Sequence, residues 1–506
     1  MPNTPSQDDE ALYRALSTRD ARFDGRFFTG VTSTGIYCRP ICRVRTPRRD
    51  NCRFFEHPAQ AEQAGFRPCL RCRPELAPRD RHWSTEDAGD ILFAQALAWL
   101  DTPTELSQTS AMAQLSARLG VSDRHVRRLF EDRLGVSPLQ YLLTRRLLTA
   151  KQLLADTDLP VGEVALASGF ASIRRFNAAF VARYGMNPTQ MRRGGTEPGG
   201  PAHSARDIRL AWRPPLQATA LMRFFAERAL TGTERVELDT LSLWRTLRLS
   251  ARGQAHTGWL MARLEPEEHR LVLRVSEGLV PALPQVIARV RAVFDLDADP
   301  LAIDRALHAD FPDGDGLRVP GTFDGFELAV RAILGQQVTV GAARTLAARL
   351  VQQIGEPVET PVPGLDRLFP TAEAIARARP SRLGELGIVR QRQQALQSLA
   401  QATLDGALAL EDGTDPQALI ARLQTLPGIG PWTAHYIAMR AARWPDAWPA
   451  GDVAMHHALG LTSPGSPAAR KEADRLAQGW RPWRSYALIR AWAGTAQRPA
   501  PHRSHE

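Results

Sequence analysis

Lysine is almost missing from this chain. Only Lys151 and Lys471 are lysines among the 64 basic residues, so the positive charge is carried by arginine. Cysteine is confined in another way. Cys38, Cys42, Cys52, Cys69 and Cys72 fall in the first 72 residues and none follows. Such crowding speaks against a disulfide-stapled secreted framework and for a metal site in a reducing compartment. Long apolar runs are absent too. No stretch reaches 18 apolar residues, so no membrane-spanning helix is expected. The opening Met1-Pro-Asn-Thr-Pro-Ser-Gln-Asp-Asp-Glu is acidic, where an export leader would be basic and then apolar. A cytoplasmic protein without a membrane partner is expected.

What remains is a globular composition, 43% hydrophobic and 23% charged, which excludes disorder throughout. At roughly 100–200 residues per domain, 506 residues suggest three to five units. A net charge of +10 favours a polyanionic partner, although the balance alone would also suit an anionic membrane.

The pattern changes along the chain. Residues 1–78 are rich in arginine and cysteine, with short strand-like runs at Gly35-Ile36-Tyr37 and Arg53-Phe54-Phe55. Helical periodicity begins near Asp87 and lasts to about Arg193. Gly194-Gly-Thr-Glu-Pro-Gly-Gly-Pro201 reads as a linker. Alternating stretches such as Leu241–Leu249 and Arg270–Val275 read as strands of a half-buried antiparallel sheet. From Phe323 to about Ala493 the signal is helical again. The expected divisions are 1–78, 86–193, a linker at 194–206, 207–315, 316–496 and a tail at 497–506.

Two close cysteine pairs, Cys38-x3-Cys42 and Cys69-x2-Cys72, can bring four thiolates around Zn²⁺, which prefers soft sulfur ligands. Cys52 lies outside the spacing and reads as a spare buried thiol. An inert zinc staple is the plain alternative. The local sequence, Thr34-Gly-Ile-Tyr-Cys38-Arg-Pro-Ile-Cys42 with Ala64-Gly-Phe-Arg-Pro-Cys69-Leu-Arg-Cys72-Arg-Pro74, closely resembles the zinc domain of the Ada regulators. That resemblance implies that Cys38 accepts a methyl group from an alkylated DNA phosphate while Cys42, Cys69 and Cys72 remain ligands. Arg39, Arg43, Arg45, Arg48 and Arg49 cluster nearby and suit phosphate contact; a solvated basic face is their bland reading.

Two helix–turn–helix units follow. Ser122 caps a helix carrying Arg124, His125, Arg127 and Arg128, with Leu129 and Phe130 turned inward. The second unit leads into Ser172-Ile-Arg174-Arg175-Phe176-Asn177, where Arg174, Arg175 and Asn177 could reach base edges or phosphates. Either alone reads as a helical hairpin with a solvated face. Together, ending in Phe180-x3-Tyr184-Gly-Met-Asn-Pro188, they resemble an AraC-type regulator. Complete Ada regulators carry a second, cysteine-dependent methyltransferase, and the lack of cysteine after Cys72 implies that this activity is absent.

Further on, Leu426-Pro-Gly-Ile-Gly430-Pro-Trp432-Thr433-Ala434 sits between helical stretches. Gly428 and Gly430 allow backbone amides to approach a DNA phosphate without Cβ obstruction. Asp452 follows in Trp448-Pro-Ala-Gly-Asp-Val-Ala-Met-His456. With Ala329-Val-Arg-Ala-Ile-Leu-Gly-Gln-Gln337-Val and Trp480–Ile489, residues 207–495 resemble the AlkA glycosylases. The resemblance implies Asp452 as the catalytic carboxylate, for which a simple helix cap is the alternative, and Trp432, Tyr436 and Trp492 as the base pocket. Trp432 stands where strand-nicking relatives have a lysine, which implies a monofunctional enzyme; no cysteine quartet follows, so no iron–sulfur cluster is implied. Gln337 stands where AlkA inserts an apolar wedge.

The expected fold class is multidomain α+β: a small four-cysteine zinc domain, an AraC-type all-α double helix–turn–helix, a small antiparallel β-rich domain and a helix–hairpin–helix glycosylase α domain. The expected function is excision of alkylated purines of the 3-methyladenine type, fused to a transcriptional regulator that takes methyl groups on Cys38. Expected partners are alkylated double-stranded DNA, a promoter and the transcription machinery. The alternatives are a DNA-binding activator with an inactive glycosylase domain, and a glycosylase with a purely structural zinc.

Overall fold

A computed structural model of the protein describes residues 7–79, 88–101, 108–194, 207–251, 253–411 and 414–497. The expected linker, apart from Gly194, and nearly all of the expected tail lie outside these residues. Two compact units emerge: Met1–Pro214 with Leu249–Arg291 and Leu296–Ala298, and Pro215–Arg248 with Ala292–Asp295 and Asp299–Glu506. Among the described residues no helix is long and apolar enough to cross a membrane.

The described residues open with helix α1 (Gln7–Thr18), then strands β1 (Phe28–Val31), β2 (Ile36–Cys38) and β3 (Cys52–Phe55), helix α2 (Pro58–Gln63) and the short strand β4 (Arg67–Pro68). The sheet order is β3-β1-β2-β4. β1 is antiparallel to both β2 and β3, whereas β2 and β4 run parallel, with Tyr37 opposite Pro68. This parallel pairing decides the local chemistry. It sets Cys38, the last residue of β2, beside Cys69, the first residue after β4, and the Cys69 amide donates to the Tyr37 carbonyl at 3.0 Å.

Among the described residues seven helices follow: α3 (Ala88–Asp101), α4 (Gln108–Leu119), α5 (Asp123–Leu134), α6 (Pro138–Asp156), α7 (Val161–Ala167), α8 (Ile173–Tyr184) and α9 (Pro188–Gly194). α5 and α8 start alike. Ser122 and Ser172 accept from the backbone amides three residues on, and left-handed Gly135 and Gly185 end the two helices. Val126, Leu129 and Phe130 of α5 join Phe93, Leu115 and Tyr141 in one apolar cluster.

Residues 207–293 form β5 (Ile208–Ala211), α10 (Ala218–Arg228), β6 (Glu234–Glu237), β7 (Ser242–Ala251), β8 (Gln254–Glu265), β9 (Arg270–Val275) and α11 (Leu283–Val293). β9 pairs antiparallel with both β5 and β8 in the first unit, and β6 with β7 in the second. The expected 207–315 segment therefore contributes to both units. Arg213 gives a physical reason. Its side chain is fully buried in the first unit and donates to the carbonyls of Asp24 at 2.8 Å, Arg79 at 2.9 Å and Asp297 at 3.0 Å.

The rest of the second unit is helical. Its core gathers Leu328, Val330, Ile333, Leu350, Leu396, Leu399, Leu423 and Ile437 from successive helices. Helices Pro416–Gln424 and Pro431–Arg440 flank the glycine turn.

Candidate functional site

Two centres of chemistry stand out, one in each unit. In the first, the Sγ atoms of Cys38, Cys42, Cys69 and Cys72 all lie within 4.8 Å of one another. Sulfurs placed tetrahedrally at about 2.3 Å from zinc are about 3.8 Å apart, so the quartet fits that ion. Hydrogen bonding among the four thiols pulls Cys42 and Cys69 down and pushes Cys38 and Cys72 up, so the quartet by itself shares its protons, and four thiolates together call for a metal ion. Cys52 stays out of the quartet, buried among Ala15, Leu16 and Phe27.

Arg39 is not a surface residue. It is 4% exposed, its Nε donates to Asp24 at 2.8 Å, and its Nη1 donates to the Cys72 carbonyl at 3.1 Å. The expected phosphate contact is replaced by a brace under the cysteine loop, because Asp24 satisfies the guanidinium from within. Arg43, Arg45 and Arg48 are exposed, while Arg49 pairs with Asp9 and Glu10. On α5 the side chains of Arg124, Arg127 and Arg128 are exposed, as are Arg174, Arg175 and Asn177 on α8. Each helix thus turns its apolar face to the core and its basic face to solvent.

In the second unit Asp452 does cap the helix Val453–Ala458, its Oδ1 accepting from the Met455 amide at 2.8 Å. The same carboxylate does more. Oδ2 accepts from Trp432 Nε1 at 2.9 Å, and Oδ1 from Trp492 Nε1 at 3.2 Å. Trp432 stacks on Tyr436 with ring centroids 5.2 Å apart and planes 10° from parallel, and Tyr436 lies 6.3 Å from Trp492. All four line one cavity of about 290 Å³. Three separate donors hold an almost buried carboxylate in one orientation against an aromatic wall, offsetting part of its desolvation.

The glycine turn lies nearby in sequence. Gly428 has φ +78, and a Cβ there would come within 3.2 Å of Ala395 Cβ. Gly430 caps the next helix with no side chain across its first turn. Gln337 is exposed with φ +55, at the turn between Gly325–Leu334 and Val340–Ile354.

Comparison with known proteins accounts for this combination. Residues 11–75 match the metal binding domain of Ada, 115–194 a helix-turn-helix domain, 207–324 the AlkA N-terminal domain, and 330–482 the HhH-GPD superfamily of base excision DNA repair proteins. A probable bifunctional transcriptional activator/DNA repair enzyme AlkA of Mycobacterium tuberculosis is 37% identical over 495 residues, 96% of each chain. The chain belongs to this bifunctional Ada–AlkA family. Its halves also match separate proteins. DNA-3-methyladenine glycosylase 2 of Escherichia coli is 36% identical over 56% of this chain and 95% of its own. The Ada activator and repair enzyme of that organism is 31% identical over 37% of this chain and 50% of its own.

Two further residues of this family member shape the site, and the sequence reading missed both. Gln336 donates from Nε2 to the Gly428 carbonyl at 2.8 Å and to Thr433 Oγ1 at 3.2 Å, tying the glycine turn to the adjoining helix. Arg440 donates to Tyr436 OH at 2.6 Å and to the carbonyls of Pro320 and Gly321, each at 2.8 Å. Burial opposes ionisation of the Tyr436 phenol, yet Arg440 and its neighbouring guanidiniums bring it below the usual tyrosine value. Arg440 follows Tyr436 by four positions, a spacing that places both on one helix face.

Proposed function

We propose that this chain excises N-alkylated purines from duplex DNA with Asp452 as its catalytic carboxylate, and that Cys38 accepts methyl groups from DNA phosphotriesters as part of a transcriptional regulator. The observation that carries the first half is the Asp452 carboxylate held between two indole N–H groups on the wall of an aromatic cavity. An alkylated purine is already cationic, so the electrons of the C1′–N bond leave with it and the departing base is neutral. Positive charge then develops on the deoxyribose. A fixed carboxylate stabilises that charge and orients the water whose oxygen bonds to C1′; the added water gives up a proton to solvent, leaving an abasic site. Trp432, Tyr436 and Trp492 offer π faces to the extruded cationic base. Gly428 and Gly430 admit a backbone phosphate to the hairpin, and Gln337 stands at an exposed turn beside it. Trp432 in place of a lysine supports a monofunctional enzyme.

At the other centre Cys42, Cys69 and Cys72 would hold zinc together with Cys38. Zinc, when bound, keeps these sulfurs deprotonated without a neighbouring base. The Cys38 sulfur forms a bond to the methyl carbon as the carbon–oxygen bond breaks, and the phosphodiester leaves with that electron pair. The product thioether is uncharged, which lessens repulsion from DNA phosphates. Arg43 and Arg45 on the cysteine loop, with Arg124, Arg127, Arg128, Arg174, Arg175 and Asn177 on α5 and α8, are the proposed DNA contacts. The functional divisions remain 1–78, 86–193, 207–315 and 316–496, and the proposed location is the cytoplasm.

Incubation of the full chain with methylated duplex DNA tests both activities. The expected outcome is free 3-methyladenine in solution and about 14 Da added to the protein on Cys38. Promoter binding with neither product would refute both.

A further inference from the structure

Helices α5 and α8 of the first unit can be laid on one another position for position, because Ser122 and Ser172 cap them and Gly135 and Gly185 end them. Their inward residues correspond. Val126, Phe130 and Leu134 of α5 match Phe176, Phe180 and Tyr184 of α8, and all are buried. Their outward faces do not. α5 exposes Asp123, Arg124, Arg127, Arg128 and Glu131 along one face, each of them charged. At the matching positions α8 exposes Ile173, Arg174, Asn177, Ala178 and Val181.

The difference leaves α8 with apolar surface that the core does not use. Ile173 is 46% exposed and Val181 45%. With Asn177 between them at helical i, i+4 steps, they form one row along the helix. Ile173 is also held in place. Its Cδ1 lies so close to Gly162 of α7 that a Cβ there would approach it to 3.2 Å, and β-branching stiffens its χ1. Arg174 and Arg175 are exposed beside the row. A partner for this face must be polyanionic, yet offer apolar points and an edge that an amide can read. The major groove of duplex DNA meets these conditions through its phosphates, its thymine C5 methyls and the paired acceptor and donor of adenine.

On the footing that residues 86–193 are a promoter-binding regulator, we propose that α8 reads A·T pairs: Ile173 and Val181 pack on thymine methyls, and Asn177 bonds to an adenine edge. Ile173 and Val181 stand about 12 Å apart along the helix, so they meet different base pairs. The charged face of α5 takes guanine edges and phosphates instead. Sequence preference is thus divided between two helices that share one frame.

The test begins with sites selected by the full chain from a random library of unalkylated duplexes, before and after methyl transfer to Cys38. Each thymine of the selected site is then replaced by deoxyuracil, which removes only the C5 methyl. The expected result is a loss of about fourfold in affinity at two A·T pairs. Ile173→Ala abolishes the penalty at one of them and Val181→Ala at the other. Asn177→Ala relaxes the adenine preference about tenfold. Arg127→Gln on α5 weakens binding and leaves both uracil penalties as they were. The uracil series on the unaltered chain needs no variant, so it stands even if an alanine variant fails to fold. Tolerance of uracil throughout the selected site, or penalties that persist in both alanine variants, would overturn the assignment to α8 while leaving the regulator intact. Selection of no sequence at all would overturn the promoter-binding regulator and this assignment with it.

Discussion

Asp452 divides its two oxygens among three donors, so either indole donor can be removed while the Met455 amide keeps the helix cap. Trp432→Phe keeps the aromatic face and deletes the 2.9 Å bond to Oδ2. The expected effect is a fall in single-turnover excision of about tenfold, with DNA affinity nearly unchanged, because orientation rather than binding is lost. Asp452 could be chosen from the sequence because the hairpin motif and its downstream aspartate form a recognisable signature, whereas Trp432, Tyr436 and Trp492 came only with the resemblance to the AlkA glycosylases. Gln336 and Arg440 could not, since their partners, Gly428 and the Pro320 and Gly321 carbonyls, are distant in sequence. Arg39 shows the converse error. Beside two cysteines and among other arginines it reads as a phosphate contact, and only the fold reveals Asp24 beneath it.

Elements were more legible than their partnerships. The strand-like runs at Gly35-Ile36-Tyr37 and Arg53-Phe54-Phe55 correspond to β2 and β3, and the serine caps mark α5 and α8. The parallel pairing of β2 with β4 was not visible, because β4 is two residues long and leaves no periodic signal. Nor was the junction at Glu62 of α2. This fully buried carboxylate accepts from Tyr37 of β2 at 3.1 Å and Thr144 of α6 at 2.8 Å, and pairs with Arg183 of α8 at 3.4 Å. Burial raises its pKa from 4.5 to about 7. Protonated Glu62 therefore favours the fold; its contribution is whole below about 4.5 and fades as pH rises through about 7. Thermal melts of Glu62→Gln should lose this decline between pH 5 and 7 relative to the unchanged chain. An identical slope in the variant would contradict the assignment. In the hairpin, Gly428→Ala forces a Cβ into a left-handed position and should cost about 1–2 kcal/mol of folding stability, seen as a lower melting temperature.

At the scale of the whole molecule, the compact units and the sequence divisions follow different lines, although the match to the AlkA N-terminal domain also begins at residue 207. Composition and periodicity mark a break near residue 207, and the first unit nevertheless contains β5, β8 and β9. Buried Arg213, bonded to carbonyls at Asp24 and Arg79, is a polar anchor that no hydrophobic pattern reveals. A chain starting at residue 207 lacks those acceptors, so its β-rich segment should melt at a lower temperature than in the full protein, as scanning calorimetry would show. Equal melting would mean that the anchor carries no stability. Zinc removal acts on the other side of that anchor: chelation should loosen the cysteine loops and abolish the 14 Da gain of about one methyl, while base excision persists.

The most direct test of the account replaces Asp452 by asparagine in the full chain, which keeps the side chain's shape and its capping oxygen. Purine release from methylated duplex DNA should fall by at least ~100-fold, with duplex binding retained. Release at the unaltered rate would show that the carboxylate between Trp432 and Trp492 is a helix cap and not the group that drives the reaction.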